Sequence, residues 1–241
     1  MNGMRLKPGL LCLCAAAAIF ACSVQPAGDR PSASVSFSTI ERNDFRPVPV
    51  DVLFVVDDSG SMASEQAAIG RDFGALVRDL LDPPPAEDGS QTRAVKDLHV
   101  GVVSTDMGVG GYNVQTCEDD PLNGKNGILQ HAGSGEPCDA SYPSFLSYSI
   151  DADAPPDLAA IEKMAADFSC ISHLGTKGCG FEQQLEASHR ALVDQAEGPN
   201  AGFLRSDAIL ALVFLTDEED CSAEDLSIFD VSSTPYSCGF G

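Results

Sequence analysis

The chain predicts an α/β fold, a mostly parallel sheet flanked by helices, and three observations carry that prediction. Val50 to Val56 is a nearly continuous apolar run rich in β-branched residues, the pattern of a strand buried on both faces. Directly after it the period becomes helical, with Met62, Ile69, Phe73, Leu76, Val77 and Leu80 on one stripe. Two further apolar runs, Leu98 to Ser104 and Ile209 to Leu215, each end on a Thr-Asp pair, Thr105-Asp106 and Thr216-Asp217. A length of 241 residues and an apolar fraction of 44% suit one sizeable domain.

In chain order, residues 1–22 are a targeting segment. Arg5 and Lys7 precede an apolar stretch from Leu10 to Phe20 that is too short to span a bilayer as a stable helix. Ile19-Phe20-Ala21-Cys22 resembles the lipobox of bacterial lipoproteins, which implies acylation of Cys22 and an anchor in the cell envelope, on the outer membrane or cell surface. The alternative is an ordinary signal peptide cleaved nearby. Residues 23–46 are polar, Ser- and Pro-containing and aperiodic, as a flexible tether is. The folded domain is expected over 47–241.

Within it, the helix that starts at Ser61 ends at Pro83-Pro84-Pro85. Leu98 to Ser104 is the second strand. A long irregular insertion, about Gly108 to Tyr142, follows; loops of this length are usually functional or stapled by disulfides. Phe145 to Ser149 is expected as a short edge strand, with helices from Pro156 to Ser172 and from Phe181 to Gln195. Ile209 to Leu215 is the last strand.

Charge and cysteines limit the partners and the compartment. Of the 14 Lys and Arg residues, Arg5 and Lys7 lie in the targeting segment, so 12 basic side chains face 36 acidic ones, a formal charge of −24. Nucleic acid and anionic lipid head groups are therefore poor partners for the domain. Cys12 and Cys14 also lie in the leader, which leaves Cys117, Cys138, Cys170, Cys179, Cys221 and Cys238 beyond Cys22. An even number in an exported chain predicts disulfides, with fifteen pairings open. Proximity along the chain favours Cys117 with Cys138, Cys170 with Cys179, and Cys221 with Cys238. A zinc site is disfavoured, since no CxxC or HExxH occurs and the four histidines are scattered.

The chemistry is expected where β-structure ends at Asp57-Asp58-Ser59-Gly60-Ser61. A carboxylate and two hydroxyls on alternate residues, with no Lys or Arg among them, form a set of hard oxygen donors suited to a divalent cation. In an α/β sheet such sites lie at the carboxyl ends of strands, where Asp217 also falls. The competing explanation is that Asp57 to Ser61 merely caps the helix. In this context Asp57, Ser59, Ser61 and the later Asp217 resemble the von Willebrand factor A (vWA) domain and its metal-ion-dependent adhesion site (MIDAS). The resemblance covers about residues 48 to 220 and implies a Rossmann-like sheet and a third-loop hydroxyl, for which Thr176 is the candidate in Leu174 to Gly180. It also implies Mg²⁺, with Mn²⁺ or Ca²⁺ as substitutes, held by neutral hydroxyls and few anions. The under-neutralised ion then takes a carboxylate from a protein partner.

Two other readings stand beside this non-enzymatic binding module. One is a metal-dependent phosphoesterase, although the nucleophile motif of haloacid-dehalogenase-like enzymes needs an Asp at position 59, where this chain has Ser59. The other is an envelope scaffold whose ion is purely structural. The resemblance further implies helices and two strands after Asp217, whereas about 24 residues follow it. A C-terminally truncated domain would leave the Asp217 strand as an exposed edge.

Overall fold

A computed structural model describes residues 48–230, apart from 91, 118, 135 and 136, together with Ser232. These residues all belong to the unit of the chain that runs from Asp44 onward. The expected leader, lipidation at Cys22, the tether and Cys238 lie outside the described residues. Among the described residues no helix is long and apolar enough to cross a membrane.

Four strands form one mixed, mostly parallel sheet: β1 (Val50–Val56), β2 (Asp97–Ser104), β3 (Leu146–Ser149) and β4 (Ile209–Leu215). Their spatial order is β3-β2-β1-β4. β1 pairs in parallel with β2 and with β4, while β3 runs antiparallel to β2 at one edge. β1 is therefore central, and its apolar run follows from having packing on both faces. Val52, Phe54 and Val56 enter the cluster beneath α1 (Ala63–Leu81) and α2 (Leu158–Ile171). Leu53 and Val55 point the other way, toward Ala187 of α3 (Gln184–His189) and Ala191 of the π-helical turn Arg190–Asp194 that follows it.

One aromatic contact joins three elements. The Phe73 ring of α1 stacks on Phe168 of α2 with centroids 3.5 Å apart, and Phe54 of β1 meets both rings at 5.4 and 4.7 Å. Each of these side chains is almost wholly buried. Burial of a Phe stabilises by about 1.5 to 3 kcal/mol, so this contact sets the position of α1, and with it Ser61, over the sheet.

Three helices start later than expected, the first being α1, which begins at Ala63 where Ser61 was expected. α2 begins at Leu158 because Asp157 caps it, its Oδ1 accepting from the Ala159 and Ala160 N–H groups at 3.1 Å. The helix expected from Phe181 begins only at Gln184. Phe181 is buried instead in a third cluster with Val109, Val114 and Phe229, and the Gln183 N–H donates to the Thr105 carbonyl at 3.1 Å. Tertiary anchoring holds these residues out of the helix.

The cysteine pairing differs as well. Cys117 is bonded to Cys179 and Cys138 to Cys170, in place of the expected Cys117–Cys138 and Cys170–Cys179 pairs. Cys221 is also disulfide-bonded. Proximity in sequence governs encounters in the unfolded chain, whereas the fold brings the insertion across to α2 and to the loop before α3. Both bonds close longer loops, spanning 62 and 32 residues.

β4 is the second edge among the described residues. Ala211, Val213 and Leu215 pack against the α1/α2 cluster, yet Ile209, Leu210, Leu212 and Phe214 are between 38% and 57% exposed. An apolar strand that reads as central in sequence is here covered on one side only.

Candidate metal site

Because β1, β2 and β4 are parallel, their carboxyl ends share one rim, and pairing continues just past the strands. The Asp57 N–H donates to the Leu215 carbonyl at 2.9 Å, and the Thr105 N–H to the Val56 carbonyl at 3.1 Å. Asp57 is fully buried at this rim. Its Oδ1 accepts from the Ser59 N–H at 2.8 Å and its Oδ2 from the Thr216 hydroxyl at 3.0 Å. The Ser59 and Ser61 hydroxyls lie 3.3 Å apart, and Ser61 donates to Asp217 Oδ1 at 3.1 Å. Four of the five expected residues, Asp57, Ser59, Ser61 and Asp217, thus meet in one hydrogen-bonded line across 156 residues of sequence.

These groups are not consumed by capping. The N-cap of α1 is Met62, and no side chain caps that helix. Among the described residues neither Asp57 nor Asp217 takes part in an ion pair with Lys, Arg or His. The donor set is therefore all oxygen and lacks a protein counter-ion, which fits a hard cation such as Mg²⁺. No three His, Cys, Asp or Glu side chains among the described residues form a metal-holding group; hydroxyls supply half of this cluster.

The third loop is clamped to the same rim by Gln66 on α1. Its Nε2 donates to the Asp57 and Gly175 carbonyls at 2.7 and 2.8 Å, and its Oε1 accepts from the Gly175 N–H at 3.1 Å. The Gly178 N–H donates to the Asp58 carbonyl at 2.8 Å. A Cβ at Gly178 would lie 2.2 Å from Asp58 Oδ1, so only glycine allows this approach. Thr176 itself is exposed, and no hydrogen bond joins it to the Asp57–Asp217 line. It lines an open pocket of about 320 Å³ with Gly60, Thr116, Asp119 and Lys177.

Two buried acids surround the line. Asp58 turns inward, where Ser104 donates to its Oδ1 at 2.7 Å; burial, reinforced by Asp106 and Asp57, pushes its carboxyl up to about 7. Glu182, in the extended segment before α3, is 1% exposed. Burial is also what raises Glu182 to about 7, with Asp57 and Glu218 adding to the effect and a hydrogen bond with the Ser59 side chain opposing it. Its Oε2 has no hydrogen-bond partner, and the same holds for the buried Thr105 Oγ1, Gln183 Oε1 and Gln184 Oε1 nearby. Asp106, by contrast, serves the scaffold: its Oδ1 accepts from the Gly108 N–H at 3.0 Å and fixes the start of the insertion.

Thr216 and Glu182 were not foreseen as parts of this rim. Thr216 precedes Asp217 and reads as the last turn of a strand, although its hydroxyl also accepts from Gln184 Nε2 at 2.9 Å and so ties α3 to Asp57. Glu182 reads as an acid favoured at a helix N-terminus. The available signal was the polar run Glu182-Gln183-Gln184 where a buried helix face should begin. No protein-family model matches the chain, and searches of curated proteins and of solved structures return no match.

Proposed function

We propose that the chain is a vWA-type, metal-dependent protein-binding module, non-enzymatic and carried on an exported, lipid-anchored envelope protein. The observation that carries this reading is the line of side chains from Asp57 through Ser59 and Ser61 to Asp217, uncapped, unpaired and all oxygen. In the proposed site Ser59 and Ser61 ligate Mg²⁺ directly, and Asp57 and Asp217 act directly or through water. Mn²⁺ substitutes readily for Mg²⁺ in such a donor set. The pocket beside Thr176 is lined by Gly60, between the two serines, and so adjoins the loop that carries them.

Calorimetric titration with Mg²⁺ and Mn²⁺ of the wild-type chain and of Asp57→Ala tests the reading. Saturable uptake by the wild type that is lost in the variant is the expected result. Equal uptake by both removes the site. A phosphoesterase would instead turn over generic phosphate esters in an Asp57-dependent manner.

A further inference from the structure

We propose that the Cys138–Cys170 disulfide is a thiol-exchange site for neutral and cationic thiols, while the Cys117–Cys179 disulfide is closed to them. This inference is independent of the metal-site reading.

The two bonds sit in different surroundings. Cys117 and Cys179 are 5% and 1% exposed and belong to the apolar cluster with Val109, Val114, Phe181 and Phe229. Thr116 packs so closely on Gly180 beside this bond that a Cβ there would lie 3.0 Å from its Oγ1. Cys138 and Cys170, in contrast, both line an open cleft of about 420 Å³ between the insertion and α2. Cys170 is buried in the last turn of that helix and Cys138 is half-buried, so a thiolate arriving from solvent has its access at Cys138.

In the exchange the entering thiolate forms a bond to Cys138 Sγ as the Cys138–Cys170 bond breaks. Cys170 Sγ leaves with the electron pair and takes a proton from solvent. A second thiol then displaces the first from Cys138, so that two reductant thiols depart as one disulfide and the protein keeps two thiols. What opens is a local tie. Residues 131–142 retain their own bonds, from the Tyr142 N–H to the His131 carbonyl at 2.7 Å and from the Asp139 N–H to the Tyr142 hydroxyl at 2.8 Å, while their covalent link to α2 is lost. The sheet and the Cys117–Cys179 bond stay in place.

Charge decides which thiols enter. The described residues lining the cleft include two carboxylates, Asp139 and Asp167, and Lys163 bonds Asp167 at 2.6 Å. Lys163 thus offsets one of the two, in a chain whose formal charge is −22. A thiol that carries an additional anionic group is repelled from this cleft, whereas one that carries an ammonium group is drawn in. Because the cleft is open to solvent, the preference fades as salt rises.

The experiment uses the full chain, its free thiols first blocked with iodoacetamide. Cysteamine, 2-mercaptoethanol and 2-mercaptoethanesulfonate serve as the cationic, neutral and anionic probes, and each rate is divided by that of the same thiol with 2-hydroxyethyl disulfide. Newly freed cysteines are alkylated without denaturant and located by mass spectrometry. We expect Cys138 and Cys170 to be labelled about a hundredfold or more faster than Cys117 and Cys179, whose opening awaits unfolding of their apolar cluster. We expect the normalised rate at Cys138 to fall about three- to tenfold from cysteamine to 2-mercaptoethanesulfonate at low ionic strength, and the three rates to converge in about 1 M salt. Asp139→Asn should narrow that span. Equal labelling of the two pairs, earlier labelling of Cys117 and Cys179, or no labelling of Cys138 and Cys170 short of unfolding overturns the inference. Rates independent of the charge on the thiol, or a span unchanged in Asp139→Asn, overturn the charge preference.

Discussion

Strand β1 carries a buried aspartate at its second position and is followed directly by another, and the two are treated in opposite ways. At its start, Asp51 meets Arg205, whose Nε donates to Oδ1 at 2.8 Å and whose backbone N–H donates to Oδ2 at 2.7 Å. Arg205 also bonds Asp97 and the Val50 carbonyl, and His99 Nδ1 lies 3.5 Å from Asp51. At its end, Asp57 receives only a backbone N–H and a threonine hydroxyl. Both residues are fully buried. One end is neutralised by the protein itself and serves to hold β1, β2 and the segment before β4 together. The other end gathers carboxylates and hydroxyls, and among the described residues neither Asp57 nor Asp217 has an ion pair there, an arrangement open to a charge from outside. Charge compensation, more than burial, separates a structural acid from a candidate ligand.

The comparison can be broken most directly at its structural end. Arg205→Leu strands Asp51 without its counter-charge and is expected to cost about 3 to 5 kcal/mol in urea unfolding, with Mn²⁺ affinity unchanged as long as the chain stays folded. A loss below 1 kcal/mol would mean that Asp51 is not compensated by Arg205.

At the site end, replacing Cys117 and Cys179 together by Ala frees the third loop from the insertion. It should lower stability by about 2 to 4 kcal/mol and weaken Mn²⁺ as well, as read by melting and calorimetry. Replacing Cys138 and Cys170 is expected to give a similar stability loss without the effect on metal.

A smaller effect concerns pH. Asp58 titrates near 7 in the folded chain and near 3.8 as an unperturbed group, so between these values the folded state holds a proton that the unfolded state has lost. Its contribution to stability is fully present below about 4 and is lost as pH rises through about 7. Glu182, raised in the same direction, adds a contribution of the same sign. In EDTA the protein should therefore unfold more easily at pH 8 than at pH 5, and Asp58→Asn should flatten the slope by on the order of 2 kcal/mol. An unchanged slope would show that Asp58 is not held protonated by burial.

The smallest effect is expected at Thr176. Thr176→Ala should leave Mn²⁺ affinity within about twofold, since the hydroxyl is exposed at the pocket rim and unconnected to the Asp57 line. A loss as large as that of Asp57→Ala would show that the Thr176 hydroxyl takes part in holding the ion.

Much of the architecture was legible because it is locally encoded. The nearly continuous apolar run of β1 does report packing on both faces, and the alternating face of β3 is seen in Leu146 and Tyr148 being buried beside exposed Ser147 and Ser149. At β4 the apolar run alone reads as a buried strand, while the edge position expected for a C-terminally truncated domain is the one found among the described residues, because hydrophobicity records what a strand prefers and not which neighbours it has. Local reading failed at Phe181 to Gln183, whose helical pattern yields to anchoring by Thr105 and the third cluster.

The amino-acid sequence by itself determined the strands, their parallel helical connections and the Asp57, Ser59 and Ser61 donors, since each depends on residues within a few positions of one another. The junction of Ser61 with Asp217, the crossed cysteine pairs, the inward turn of Asp58 and the buried Glu182 were decided only by tertiary structure. These contacts join segments from 32 to 156 residues apart or depend on the surroundings such segments create, and no local periodicity specifies which distant side chain will be left beside them without a partner.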